Sequence, residues 1–249
     1  MSITAPAGTD GSGSGKAGGF TRRLFLAALA VAPAILAIPS SLRAFFLRTF
    51  PVRTVERDTF AFDAGTGTIY WKETKSREPF ALLLDGLVEK PIRLSYAELQ
   101  AMPQVSQISD FHCVEGWSIQ DVEWKGIRFQ ELLKKVKLTD GVAYVTFHSL
   151  GSTGSQPFGQ DHYIESFAIK DLVDPKKECL LAFGQDGKPL THDHGAPCRV
   201  IAPFDLAYKN IKFVCRMEFS QYQKAGWWTL VEPMYPVNAP VPLERLRKR

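Results

Sequence analysis

The sequence predicts an α+β protein with short helices, and three observations carry that expectation. Runs rich in branched and aromatic side chains recur at Phe80–Gly86, Gln104–Phe111, Val142–Phe147 and Ile211–Phe219, each strand-sized and bounded by polar or turn residues. Helical signals are brief, led by a capping pattern at Ser95-Tyr96-Ala97-Glu98 and an apolar stripe at Phe129, Leu132, Leu133 and Val136. At 249 residues with ordinary apolar and charged fractions, the chain has core enough to fold without staples.

Taken in order, residues 1–20 are Gly, Ser and Ala with almost nothing apolar to bury, and disorder is expected there. Residues 21–43 open on Thr21-Arg22-Arg23-Leu24-Phe25-Leu26 and continue as an apolar run to Ile38, the form of a twin-arginine export signal. No charge falls between Leu24 and Leu42, a span close to bilayer length although Pro33 and Pro39 interrupt it. Small-x-small cleavage patterns are poor beyond it, which favours a retained membrane anchor through residues 24–42 over removal. The expectation is a periplasmic, exported protein handled by the twin-arginine export machinery.

Residues 44–79 read as a polar connector with a Gly-Thr-Gly turn at Gly65 to Gly67, and residues 80–220 as the folded domain. Within it, Phe80–Gly86 is a buried strand, and the capping box starts a short helix that carries Leu99 inward. The strand Gln104–Phe111 then delivers Cys113 at its end. Phe129 to Val136, with lysines between its apolar positions, is an amphipathic helix, and Ile164 to Val173 reads as another. Cys179–Phe183, the Asp186-Gly187 turn and Pro189-Leu190 form a hairpin. Cys198–Phe204 and Ile211–Phe219 are the last strands; in the second, Lys212, Arg216 and Glu218 oppose an apolar face, with Val214 the exception, which sets Lys212 at a polar strand mouth. Residues 221–249 are a Pro-rich, irregular tail that wraps the domain.

Thirty basic residues against 26 acidic leave a net charge of only +4, with much of the excess at the two ends. No basic face with interleaved aromatics stands inside the domain, which argues against nucleic acid as a partner. The four cysteines, Cys113, Cys179, Cys198 and Cys215, contain no Cys-x-x-Cys pair, so neither a zinc ribbon nor a covalent haem is encoded. Cys179 and Cys215 sit in apolar runs and read as core; an even count in an exported protein leaves a disulfide open. His192 and His194 have zinc spacing but no second ligand pair, and His112 and His148 read as structural.

Cys113 is different in its setting: Asp110-Phe111-His112-Cys113-Val114-Glu115-Gly116-Trp117-Ser118, then Trp124-Lys125-Gly126. A lone cysteine is by default a small buried hydrophobe, but here the thiol lies between a strand and a turn, with a carboxylate two residues on. Glu115 is either an acceptor that orients the turn or a surface carboxylate. Together with His194-Gly195-Ala196-Pro197-Cys198-Arg199, this stretch resembles the oxidoreductase molybdopterin-binding domain, the sulfite oxidase fold. Its Cys-Val-Glu-x-Trp-Ser form is most similar to the catalytic subunits of periplasmic methionine-sulfoxide reductases.

The resemblance implies mixed sheets with short helices, a molybdenum-molybdopterin cofactor, and Cys113 as the catalytic residue and metal ligand, a thiolate suiting a sulfur-rich site. It also implies cofactor contacts at Ser149, His194, Arg199, Asn210, Ile211 and Lys212, where the similar proteins carry threonine, asparagine and glycine in place of Ser149, His194 and Asn210. A further family pattern, Asn-x-x-Tyr-Glu, has no clean match, and Tyr70 is only a guess for it. Twin-arginine export carries folded proteins, which suits a protein loaded with cofactor beforehand. Sulfite oxidases place an arginine shortly after the ligand cysteine; Glu115 to Asp121 contains none. A neutral S-oxide or N-oxide therefore fits better than sulfite as the small-molecule substrate, with Arg77 or Arg128 as distant alternatives. The chain has no haem or iron–sulfur motif, so the resemblance implies a membrane cytochrome or quinone-linked electron-transfer subunit as partner. A sulfite oxidase-like dehydrogenase and a non-catalytic pterin-binding module are the competing readings.

Overall fold

The computed structural model describes residues 55–232 and 234–247. The expected disordered start, the twin-arginine segment and residues 44–54 of the connector lie outside the described residues. Among the described residues no helix is long and apolar enough to cross a membrane.

The rest of the supposed connector is a three-stranded antiparallel sheet, β1 (Phe60–Asp63), β2 (Thr68–Trp71) and β3 (Arg77–Pro79). The Gly-Thr-Gly segment is its first turn, where Asp63 accepts from Gly65 N and Thr66 Oγ1, each at 2.9 Å. Phe60 and Ile69 are sealed in the main core. The strands are short, and most charged residues of the segment crowd into Glu56 to Asp58 and Lys72 to Glu78, on either side of β1 and β2, which is why composition alone reads as a linker.

The principal sheet runs β5 (Ile92–Ser95), β4 (Ala81–Gly86), β13 (Val214–Ser220), β8 (Tyr144–Ser149) and β9 (Ile164–Ala168). It is mixed, with β4 parallel to β13 and the other pairs antiparallel. The expected helix over Ile164 to Val173 is thus corrected: β9 pairs with β8, and only α3 (Ile169–Leu172) is helical. Ile164, Glu165, Ser166 and Phe167 are all buried, whereas a surface helix would need a solvated face.

Two further helices follow the sequence more closely. At α1 (Tyr96–Ala101) the Ser95 hydroxyl accepts from Glu98 N and the Glu98 carboxylate accepts from Ser95 N, an arrangement that stabilises such a start by about 1 kcal/mol; Leu99 is fully buried. The stripe from Phe129 forms α2 (Phe129–Leu133), which ends three residues earlier than its spacing predicts.

The other large sheet carries the candidate site. Its order is β11 (Lys188–Pro189), β10 (Leu180–Gln185), β7 (Ser118–Arg128) and β6 (Val105–His112), with β12 (Arg199–Ile201) also on β10. All its pairs are antiparallel. Strand β10 is buried on both faces: Leu181 and Phe183 join Leu82, Phe147 and Met217 in the main core, and Leu180 and Ala182 join Val122, Trp124 and Ile201 in a second cluster. Its period of two divides one apolar run between two cores. The β7–β10 approach requires Gly126, where a Cβ would stand 2.1 Å from Leu181 O.

The last two expected strands are shorter than predicted. β12 holds only three residues, and β13 begins at Val214 because Phe213 takes φ +58 and the register shifts between Val214 and Arg216. Lys212 therefore belongs to the loop before β13, not to a strand mouth. The tail contains α4 (Trp227–Val231) and a 3-10 turn at Leu243–Arg245.

Candidate functional site

Strands β6 and β7 form a hairpin whose loop presents Cys113. The loop closes on itself through Cys113 N donating to Trp117 O at 2.9 Å and Gly116 N donating to Cys113 O at 3.2 Å. Beneath it, buried His112 places Nδ1 2.8 Å from Ser118 Oγ, the satisfied structural role expected of it. Glu115 accepts from Trp117 Nε1 at 3.0 Å, so it orients an indole and not the turn's backbone.

Cys113 is half-buried and the four residues after it are exposed. Burial pushes its thiol pKa up, partly countered by the Glu115 N–H. The unligated group is thus a protonated thiol at neutral pH, and metal binding is what displaces such a proton.

Arg199 lies against the same hairpin. Its Cζ sits 5.2 Å from the Phe111 ring centroid and 5.4 Å from that of Trp124, and Phe111 is two residues, or roughly 6.6 Å of extended strand, from Cys113. Arg199 is 6% exposed. Its Nη1 donates to His194 O at 3.1 Å and its Nη2 to Asn210 O at 3.0 Å, while Nε has no hydrogen-bond partner among the described residues. Burial lowers its pKa to about 10, opposed by the Glu56 charge.

Of the remaining predicted residues, His194, Asn210 and Lys212 lie around Arg199. Lys212 Nζ donates to Asp193 O at 3.2 Å; burial lowers its pKa to about 8, with Glu56 opposing and Arg199 adding to the shift. Gly195 has φ +101, and a Cβ there would stand 2.8 Å from Lys212 Cγ, so glycine lets the two loops touch. His194 Nδ1 lies 2.8 Å from Thr191 Oγ1, and burial followed by the Arg199 charge lowers its pKa.

Asn210 Oδ1 accepts from Ala202 N at 2.6 Å, with φ at an ordinary −80, so its side chain holds the loop and no glycine is needed. Ile211 is a core residue, 1% exposed, whose N donates to Lys209 O and whose O accepts from Val200 N; the structure gives it a packing role beside the site. Ser149 faces Val214 across β8 and β13, and its Oγ accepts from Tyr163 N at 3.1 Å. His192 packs between Phe60 and Phe213, apart from any role beside His194.

The residues suit an anionic cofactor. A buried cation is costly unless an anion offsets it, and here Arg199 has no ion pair among the described residues, while its Nε and Trp124 Nε1 are both buried donors lacking partners among them. Trp124 had appeared only as a marker in the sequence. Its role and that of Phe111, flat surfaces for a buried guanidinium, had no sequence signal. Also absent from the expectations is Arg245, which reaches the Cys113 loop from the tail.

A thiol on a hairpin loop, with two buried donors on or against the same hairpin that lack partners among the described residues, is an arrangement that an anionic, metal-bearing cofactor would fit. Residues 70–228 match the oxidoreductase molybdopterin binding domain. The chain belongs to that family and is a molybdopterin-binding oxidoreductase. It is 28% identical over 163 residues to an uncharacterized oxidoreductase, YuiH, of Bacillus subtilis (strain 168), covering 66% of this chain and 75% of that one. It is similar in fold to the sulfane dehydrogenase SoxCD from Paracoccus pantotrophus, with a TM-score of 0.50 and 18% identity over 67% of this chain. It spans 45% of that larger chain.

Proposed function

We propose that this protein is an exported molybdenum enzyme that catalyses two-electron oxygen-atom transfer, reducing a neutral S-oxide or N-oxide. The observation that carries the reading is the buried Arg199, with no carboxylate at ion-pair distance among the described residues, lying over Phe111 two residues before Cys113 and bonded to the loops of His194 and Asn210. In this reading Cys113 ligates the metal, and Arg199 and Lys212, with His194, hold the cofactor's anionic end. Asn210, Ile211 and Ser149 keep those loops in register.

The bound cofactor would supply the two-electron couple and an open position for the substrate oxygen. Overall, an S-oxide takes up two electrons and two protons to give a sulfide and water. The electrons come from a membrane cytochrome or quinone-linked subunit in the periplasm, and a retained anchor through residues 24–42 would shorten that encounter.

Sulfite would call for arginine donors free to meet an oxyanion. Arg245 spends its contacts on hairpin oxygens, Arg128 donates to Gln107 Oε1 and Cys179 O, and Arg77 lies over the Tyr70 ring. These engagements favour the neutral substrate.

Protein from a molybdopterin-competent host should hold about one molybdenum per chain and oxidise reduced viologen when given an S-oxide. Cys113→Ser should fold and lose turnover. Turnover retained by that variant removes the ligand assignment, and metal without turnover on any S-oxide, N-oxide or sulfite leaves a binding module only.

A further inference from the structure

We propose that Arg245, from the carboxyl-terminal tail, is the positioning residue of the Cys113 loop, setting the direction of the sulfur and placing a fixed positive charge beside it. The inference rests on the reading of Cys113 as metal ligand.

The geometry is specific to the loop's closing oxygens. Arg245 Nη1 donates to Cys113 O at 2.8 Å, and Nη2 donates to Trp117 O at 2.6 Å and Ser118 Oγ at 3.0 Å. Both carbonyls already accept from within the loop, Trp117 O from Cys113 N and Cys113 O from Gly116 N. A carbonyl has two lone pairs, so each is filled once by the loop and once by Arg245. The third acceptor, Ser118 Oγ, is the partner of His112 Nδ1, which ties the same guanidinium to the ring under the loop.

Val114, Glu115, Gly116 and Trp117 are exposed, so little packing restrains the turn that carries the thiol. A planar fork meeting three oxygens supplies that restraint, whereas a lysine would present a compact point charge. The tail is itself fastened to the hairpin stalk: Arg247 bonds both Asp110 and Asp121, and Asp121 N donates to Asp110 Oδ1 at 3.0 Å. Arg247 therefore engages both stalk carboxylates, while Arg245 turns to the loop.

Arg245 has no carboxylate within ion-pair distance among the described residues. Its charge acts on the sulfur against that of the Glu115 carboxylate, the larger of the two, and a positive charge there stabilises the more electron-rich state of whatever metal the sulfur binds. Removing it should lower the midpoint potential of that metal.

The test compares full-length Arg245→Gln, Arg245→Lys and Cys113→Ser, each made with and without molybdopterin supply. Without cofactor, the Cys113 and Gly116 amides of Arg245→Gln should exchange hydrogen about tenfold faster than wild type, as expected for loss of a charge-assisted hydrogen bond. With cofactor, Arg245→Gln should keep its molybdenum, show an altered Mo(V) paramagnetic resonance spectrum and a lower midpoint potential, and lose kcat with little change in KM. Arg245→Lys should restore the potential but not the amide protection.

Wild-type exchange or an unaltered spectrum in Arg245→Gln overturns the proposal, the second because the loop would then be held without effect at the sulfur. If Arg245→Gln fails to accumulate, Arg245→Lys decides: full amide protection there overturns the proposal, and lost protection supports it. Should Cys113→Ser give the wild-type spectrum, the ligand reading itself is what fails. An altered Cys113→Ser spectrum beside an unaltered Arg245→Gln spectrum sinks the Arg245 inference alone.

Discussion

Lys209 and Arg199 stand ten positions apart in the sequence and are both sealed from water, at 0% and 6% exposure. Lys209 meets Glu165 Oε2 at 2.5 Å and Ser166 O at 2.9 Å. Arg199 meets two carbonyls and two aromatic faces, and its Nε has no partner among the described residues. Among the described residues the first cation has a carboxylate at ion-pair distance and the second has none, only the charge of Glu56 from further away. A buried charge paired inside the protein serves the fold, and the proposed role of Arg199 is to meet an external anion instead.

The largest effect that could break this contrast is on stability. Lys209→Met should strand Glu165, whose carboxyl is already pushed up to about 7 by burial against the pull of Lys209. The expected loss is about 3–5 kcal/mol, or roughly 10 °C in Tm, read by thermal melting. Adding Glu165→Leu should recover most of it, since an apolar pair needs no desolvation of charge. A single variant that melts like wild type would place Lys209 outside this account.

Arg199→Met should do the opposite. The cofactor-free protein should lose at most about 2 kcal/mol, for two carbonyls deprived of donors. Cofactor affinity should fall roughly a hundredfold, ~3 kcal/mol, seen as molybdenum lost on dialysis. Equal molybdenum retention in variant and wild type would show that the open donor has no ligand.

Gly195→Ala sharpens the contrast by moving the second site cation. A side chain at φ +101, against Lys212 Cγ at 2.8 Å, should cost about 1–3 kcal/mol in melting experiments and weaken anion binding through the displaced lysine.

The smallest effect is the pH dependence of that lysine. Its folded pKa of about 8 lies below the ordinary 10.5, so the cofactor-free protein bears the cost of burying the ammonium below pH 8 and sheds it as pH rises toward 10.5. Sulfate affinity, measured by calorimetry on cofactor-free protein, should fall about tenfold as pH climbs through that pKa. Lys212→Met should bind weakly throughout, and a pH dependence surviving in that variant would assign it to another group.

Legibility followed the range of the interactions. The Ser95–Glu98 cap, the β10–β11 hairpin and the strand leading to Cys113 are local patterns, and each forms where its residues predict. Ile164 and Phe167 also fit a helical spacing, but burial of every side chain between them made β9 a strand. Phe213 delayed the start of β13 by adopting φ +58, a backbone state its side chain does not announce. Arg199 and Lys212 were found through the family resemblance; nothing in their neighbours distinguishes an open cation from the closed one at Lys209.

By itself, then, the chain's order of residues determined the thiol, the turn that displays it and the short strands around it, because alternation, capping and turn formation act between near neighbours. Only the packed protein decided which cation would lack a carboxylate, which rings would flank it, and that Arg245 would reach Cys113 from 132 positions away. Desolvation and long-range contact belong to the assembled fold, and no window of sequence contains them.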